Sequence, residues 1–230
     1  MSGATGEISP SDLVKQRGGG YARALGIDLA APDAGERFKW FLAAVLYGTR
    51  ISESLATRTW REFAAHDVLT PDRLLETGWG GLVAILDAGG YVRYDYKTAT
   101  KLLDVCAALL RDYGGSLDAL HDAAADPRDL ENRIKALGKG IGNTTVGIFL
   151  RELRGIWSKA KPPLSPLALA GANALGYLRP TLDDVDHAIP HLRHVWAADG
   201  QTAASFTEFE AALVREGLRL RHQASHKRAV

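Results

Sequence analysis

The chain has 230 residues, of which 46% are hydrophobic and 24% charged, a composition typical of a compact globular protein rather than a disordered, collagenous or coiled-coil chain. Its single cysteine, Cys106, excludes an internal disulfide, a four-cysteine zinc site and a four-cysteine iron–sulfur cluster, and we predict no cofactor. The formal net charge of +1 does not by itself indicate a nucleic-acid partner.

The first half of the chain predicts a polar tail followed by helices. Residues 1–20 are Gly-rich and lack periodicity, which predicts a flexible tail. Asp33-Ala-Gly-Glu36 has the form of a capping box, and it precedes apolar residues at helical spacing, which predicts a buried helix. These apolar residues are Phe38, Phe41, Leu42, Val45 and Leu46. Thr70-Pro71 predicts the start of another helix, and Gly80-Gly81 predicts a break in it.

The second half of the chain also predicts helices only. A helix is expected over residues 95–113, where one face is apolar, and it stops at Gly114-Gly115. Two further helices, over residues 128–137 and 144–156, flank the glycine-rich turn GKGIGN. Prolines in KPPLSP interrupt the helical pattern, and a last amphipathic helix is expected over residues 206–220. No segment alternates as a β-strand does, so the predicted fold class is all-α.

The sequence predicts a cytoplasmic monomer without a membrane partner. The longest apolar run covers residues 41–47, far short of the ~20 residues that cross a bilayer. The opening MSGATGEISPSD lacks the regions of a signal peptide. No metal site is expected, because Pro190 interrupts the spacing of the nearby histidines. Four tryptophans are predicted to lie in the core, namely Trp60, Trp79, Trp157 and Trp196.

Basic residues concentrate in two parts of the chain. Residues 128–161 contain eight lysines and arginines against three acidic residues. The segment at 215–228, which reads REGLRLRHQASHKR, contains five against one. A solvated helix face and a frayed tail explain the second segment equally well, whereas the first contains the most informative motif of the sequence.

That motif is LGKGIGNTTV, at residues 137–146. Gly140 and Gly142 can take positive φ and let another backbone approach, and the amides that start the following helix favour an anion. With Lys139, Arg151 and Arg154 on the same segment, the predicted ligand is a nucleic-acid backbone held without regard to base identity. A glycine turn also joins many helix hairpins that bind nothing.

The order and spacing of several segments resemble the helix-hairpin-helix DNA glycosylase superfamily, in particular its endonuclease III branch. The segments are FLAAVLYGTRISE, TPDRLL, ILDAGGYVRYDYKTATKL, ALLRDYGG and IKALGKGIGNTTVGIFL, and they cover about half the chain. The resemblance implies a two-lobed helical fold, with a six-helix barrel at residues 40–156 and a second lobe from residues 21–39 and 157–230. In that family the lesion-bearing nucleotide is flipped out of the duplex.

The resemblance also shows where the catalytic groups of the family are missing. The Schiff-base lysine position corresponds to Thr144, which has no amine, so AP-lyase activity is not expected. The catalytic aspartate position corresponds best to Ser165, which has no charge to stabilise a developing cation. A shift of the alignment across the prolines leaves Asp183, Asp184 or Asp186 as a substitute carboxylate, although acidic residues are also common where a helix begins.

Two loops and the hairpin are implied to touch DNA. Thr49 and Arg50 correspond to the family's wedge loop, and a second loop alternates aromatic residues with cations, as a base-stacking surface does. The implied DNA-binding residues are Lys139, Gly140, Ile141, Gly142, Asn143, Thr144, Thr145 and Arg151 of the hairpin, Thr49 and Arg50, and Tyr91, Arg93, Tyr94, Tyr96 and Lys97 of the second loop. Tyrosines that pack at a helix entry would give the same second-loop pattern.

The expected function is therefore binding of damaged or distorted double-stranded DNA in base-excision repair, without AP-lyase activity. The missing lysine and aspartate favour a catalytically silent binder over an active monofunctional glycosylase with a displaced carboxylate, which stays open as an alternative. A third possibility, from another class, is a helical protein-interaction module that reuses the scaffold.

Overall fold

The computed structural model describes residues 8–178 and 185–228, and these residues form helices and no β-strand, which confirms the all-α class. The helices are α1 (Pro10–Arg17), α2 (Tyr21–Ala24), α3 (Ala34–Tyr47), α4 (Glu53–Ala65), α5 (Pro71–Ala88), α6 (Asp95–Tyr113), α7 (Leu117–Ala123), α8 (Pro127–Ala136), α9 (Asn143–Glu152), α10 (Pro166–Ala174), α11 (Val185–Ala198) and α12 (Phe206–Arg228). Among the helices so described, none is both long and apolar enough to cross a membrane.

Local signals in the sequence set several helix boundaries. The Asp33 carboxylate accepts a hydrogen bond from the Gly35 amide (2.8 Å) where α3 begins, and the Thr70 hydroxyl caps α5 through the Arg73 amide. Helix α6 covers the predicted range and ends at Gly114, which has the left-handed conformation. Helix α5 differs from expectation, because its break lies at Gly78 (φ +67°) and the helix continues through Gly80 and Gly81.

The chain divides into two compact units, residues 25–161 and residues 1–24 with 162–230. The division differs from the predicted one, which placed residues 21–39 in the second lobe. Residues 34–39 belong to the first unit because they form the start of α3, one continuous helix that runs through the predicted boundary. The core of the first unit joins α3 to α9. The Trp40 Nε1 donates to the Phe149 carbonyl (3.0 Å), and the Phe41 and Phe149 rings meet edge to face.

The described part of the predicted N-terminal tail is helical, so the prediction of a flexible tail over residues 1–20 is wrong there. Ser9 caps α1, and Pro10 occupies its first turn. Leu13 is 1% exposed, and Arg17 forms an ion pair with Glu216 of α12 at 2.6 Å. Packing against α12 stabilises this short helix, which its polar composition alone would not.

In the same unit, α10 and α12 approach each other at two glycines. A Cβ added at Gly217 would overlap the Leu167 carbonyl group, and one added at Gly171 would overlap that of Leu213. The aromatic core beside them stacks Trp196 on Phe209, with ring centroids 5.3 Å apart. The close backbone contact therefore depends on residues without side chains.

We expect Glu216→Gln to lower the free energy of unfolding by about 2 kcal/mol at pH 7, since hydrogen bonds to a buried charge are lost. Glu216 is 1% exposed, and hydrogen bonds from Arg219 and then from Arg17 hold the pKa of its carboxyl below the ordinary 4.5. Because the pKa of Glu216 is lower in the folded state, its ionised carboxylate stabilises the fold at pH values above the ordinary pKa of 4.5. This stabilisation is lost as the pH falls through the lowered pKa.

Urea unfolding between pH 7 and pH 3 measures this effect. The difference between wild type and Glu216→Gln should shrink as the pH falls below 4.5. Glu76→Gln, which removes an exposed pair with Arg73, serves as the control and should change stability by less than about 0.5 kcal/mol. A pH-independent difference for Glu216→Gln would contradict the role assigned to its charge.

Candidate nucleic-acid interface

The glycine-rich hairpin consists of α8, a turn at residues 137–142 and α9. Gly140 has φ +90°, as the sequence predicted, and the Ile141 amide donates to the Gly138 carbonyl (3.2 Å). Gly142 differs from the prediction: its φ is −108°, an extended conformation that any residue adopts. A Cβ added at Gly142 would meet no atom within 4 Å, so the position faces open space.

The N-terminus of α9 is not capped by any side chain of the described residues. The first intrahelical hydrogen bond joins the Val146 amide to the Gly142 carbonyl (3.1 Å), so the amides of Asn143 and Thr144 precede it. Both of these residues are exposed. The exposed helix start therefore presents amide donors and the positive end of the helix dipole to solvent.

The wedge-loop segment lies directly against this hairpin. A Cβ added at Gly48 would overlap the Thr145 hydroxyl, so residues 47–50 and the first turn of α9 are in van der Waals contact. Thr145 itself is buried by this contact, Thr49 is half-buried, and Arg50 is exposed beside them. Two segments that are nearly a hundred residues apart in sequence thus form one surface.

The second implied loop joins the same surface through Tyr91. The Tyr91 hydroxyl donates to the Leu46 carbonyl at the end of α3 (3.1 Å), and burial raises its pKa to about 12, so it remains a donor. Tyr91 is 1% exposed, which removes it from the predicted stacking surface and gives it a structural role. The hydrogen bond fixes the 91–97 loop beside the 47–50 loop.

The other residues of this loop are accessible. Arg93, Tyr96 and Lys97 are exposed, and Tyr94 is half-buried with the Arg93 guanidinium over its ring at 5.5 Å. At the other side of the loop, burial and a hydrogen bond with Asp95 raise the pKa of Asp87. The negative charge of these two carboxyl groups disfavours a phosphate beside them.

Lys101 of α6, which sequence reasoning missed, flanks the hairpin turn. A Cβ at Gly140 would lie 3.1 Å from the Lys101 Cε and 3.6 Å from its Nζ. Burial lowers the pKa of Lys101, and no carboxylate of the described residues pairs with Lys97, Lys101 or Lys139. The i, i+4 spacing of Lys97 and Lys101 on one helix was the available signal.

Two more of the implied DNA-binding residues of the hairpin are buried, as Thr145 is. Arg151 is 5% exposed, and its guanidinium lies 3.5 Å from the Glu152 carboxylate, so the predicted phosphate contact by Arg151 is not supported. Ile141 is 5% exposed, so its side chain anchors the turn, and only its backbone lies in the motif. The basic surface is therefore formed by lysines of two segments, α6 and the turn, and not by Arg151 of α9.

The implied catalytic positions fall in different parts of the chain. Thr144 is exposed in the second position of α9, with no amine at that site. Ser165 caps α10, where its hydroxyl accepts from the Ala168 amide at 3.2 Å, so its role within its own unit is structural. Asp183 and Asp184 lie outside the described residues, as does the side chain of Asp186 at the start of α11.

Comparison of the chain with protein-family models, curated proteins and solved structures finds no match.

Proposed function

We propose that this protein binds double-stranded DNA through its hairpin and recognises damaged or distorted duplex, without AP-lyase activity. The observation that carries the proposal is the uncapped start of α9, whose exposed amides at Asn143 and Thr144 follow a glycine turn with open space at Gly142. Such a helix start binds a phosphate through its amides and its dipole. The two-lobed glycosylase-like fold implied by the sequence is part of the same proposal.

The positive charges beside the turn favour a ligand with several successive phosphates over a single phosphate ion. Lys97, Lys101 and Lys139 lie along the hairpin side of α6 and the turn, and none of them pairs with a carboxylate of the described residues. A phosphate near Lys101 would offset the burial that lowers its pKa. A sugar–phosphate chain supplies several phosphates in succession, and one of them can reach each lysine.

The convergence of the two loops supports recognition of a distorted duplex. Arg50 is exposed on the segment that packs against the hairpin through Gly48, and Arg93 is exposed on the segment that Tyr91 joins to the end of α3. Side chains that project beside a bound backbone can enter a stack that is already weakened, where unstacking requires less free energy. An intact duplex resists this entry, so binding should favour DNA with an abasic position.

Fluorescence anisotropy with a labelled duplex, intact or with an abasic analogue, tests this function over a range of salt concentrations. We expect tighter binding to the abasic duplex and a slope of log K against log salt of about −3, for three phosphates neutralised by lysines. Lys139→Ala should reduce the slope by about one, because it removes one of these contacts.

Duplexes that each carry one damaged base, incubated with the protein and then analysed with and without alkali, separate the alternatives. Lesion-dependent binding without strand cleavage is the expected result. Cleavage that appears only after alkali would indicate a monofunctional glycosylase with a displaced carboxylate, and cleavage without alkali would contradict the missing amine at Thr144. Binding that does not depend on salt, or no binding, would overturn the proposal in favour of a protein-interaction module.

A further inference from the structure

An exposed pair of aromatic side chains lies on α5 and α6, next to the lysines of the candidate interface. Trp79 is 45% exposed and Tyr96 is 60% exposed, and their ring centroids are 5.1 Å apart with a tilt of 42°. The sequence predicted Trp79 to lie in the core, which is wrong. The other four tryptophans, which are Trp40, Trp60, Trp157 and Trp196, are buried.

The backbone around Trp79 holds the ring outside the core. Gly78, with φ +67° and ψ 174°, breaks the helix directly before it, and this conformation requires a glycine. Cβ atoms added at Gly78 and Gly80 would meet no atom within 4 Å, so neither position needs a glycine to avoid a clash with the rest of the protein. The space beside the indole ring is therefore open for a ligand to approach.

One hydrogen bond orients the indole ring. The Trp79 Nε1 donates to the Thr100 hydroxyl (3.2 Å), which itself donates to the Tyr96 carbonyl (3.0 Å). The polar edge of the indole is thus satisfied by the protein, and the ring face remains accessible. Thr100 precedes Lys101, whose Cε would lie 3.1 Å from a Cβ at Gly140, so the aromatic pair and the hairpin adjoin on α6.

We propose that Trp79 and Tyr96 form a stacking platform for an unpaired nucleobase of the DNA strand held by the hairpin. The proposal rests on the proposed function and adds a ligand class to it: DNA in which single-stranded bases adjoin a duplex. Every base has a π-face that stacks on an aromatic ring, and Lys97 and Lys101 lie where the phosphates of the same strand can be neutralised.

The size of the patch favours a base over a protein partner. A fully buried aromatic side chain covers about 150–250 Å², so two half-exposed rings offer about 200 Å² of new contact. A stable protein interface needs about 800 Å² on each partner. The lysines beside the rings also match a polyanion, whereas charged residues are depleted in the centre of protein interfaces.

Anisotropy with an intact duplex and with a duplex that contains a short single-stranded gap tests the platform in the full-length protein. Wild type should prefer the gapped DNA by roughly five- to hundredfold, the range given by stacking of one base. Trp79→Ala and Tyr96→Ala should each lower this preference by about fivefold or more, the contribution of base stacking, while Trp79→Phe retains most of it. Ile156→Ala, which trims an exposed apolar side chain outside the surface, should behave as wild type.

Tryptophan fluorescence gives a second readout that does not depend on affinity. Because Trp79 is the exposed one of five tryptophans, iodide should quench it selectively, and gapped DNA should protect it. Equal protection by intact duplex, or an unchanged preference in Trp79→Ala, would overturn the platform while leaving duplex binding by the hairpin intact. If wild type bound neither DNA, the proposed function would fail together with the platform.

Discussion

Replacing Gly142 with valine is expected to reduce duplex affinity by at least roughly a hundredfold, because several contacts of more than about 1 kcal/mol each are lost together. The side chain would project into the open space in front of the α9 amides, where the phosphate is proposed to lie. Anisotropy with the abasic duplex at low salt measures the change.

The fold should tolerate this substitution, which makes the result informative. Gly142 has an extended backbone that valine adopts readily, and its Cβ would meet no protein atom. The free energy of unfolding should therefore change by about 1 kcal/mol or less, the size of an N-cap effect. Circular dichroism and urea unfolding verify that the variant is folded before its binding is measured.

A matched control lies on the same helix. Gly147→Val adds an identical side chain further along α9, where a Cβ also meets no atom within 4 Å, and it should bind DNA as wild type does. Gly140→Val differs from both, because φ +90° strains a side chain, so it should lose stability as well as binding. Wild-type affinity in Gly142→Val would place the contact elsewhere.

Replacing Gly217 with alanine is expected to destabilise the unit that contains α10 and α12 by about 2–3 kcal/mol, the range of overpacking in a rigid contact. The added Cβ would overlap the Leu167 carbonyl oxygen and lie 2.8 Å from its carbon. Both are backbone atoms in the first turn of α10, so neither can move without displacing the start of the helix.

Gly147→Ala is the matched comparison, and we expect it to change the free energy of unfolding in the opposite direction. Both glycines lie inside helices, but only Gly147 has open space around its Cβ, so alanine there should stabilise the protein by about 0.5–1 kcal/mol. Urea unfolding monitored by circular dichroism compares the two variants. If Gly217→Ala were as stable as wild type, the close approach of α10 and α12 would be incorrect.

Much of the helical framework could be predicted from local residue patterns. The boundaries of α6 follow from its apolar face and its terminal glycines, and the caps of α3 and α5 follow from Asp33 and Thr70. Helix α1 could not be predicted in this way. It is short and polar, and it depends on burial of Leu13 and on Glu216, which lies about two hundred residues further along the chain.

The candidate interface was predictable in outline but not in its side chains. The glycine turn at 138–142 identified the hairpin, yet it gave no information on which cations surround it. Arg151 was predicted to lie on this surface, but it is buried beside Glu152. Lys101 was not predicted, but it lies beside the turn and so belongs to the surface. Trp79 was placed in the core by its residue type, whereas Gly78 turns it outward.

The most direct test of the hairpin account is an NMR titration of the ¹⁵N-labelled protein with the abasic duplex. We predict that the amide resonances of Asn143 and Thr144 shift strongly and saturate together with binding, because their protons form hydrogen bonds to a phosphate. The amides of Gly26 and Gly200, far from the hairpin in sequence, should not move with them. Saturable binding of the duplex that leaves the Asn143 and Thr144 resonances unchanged would contradict the account.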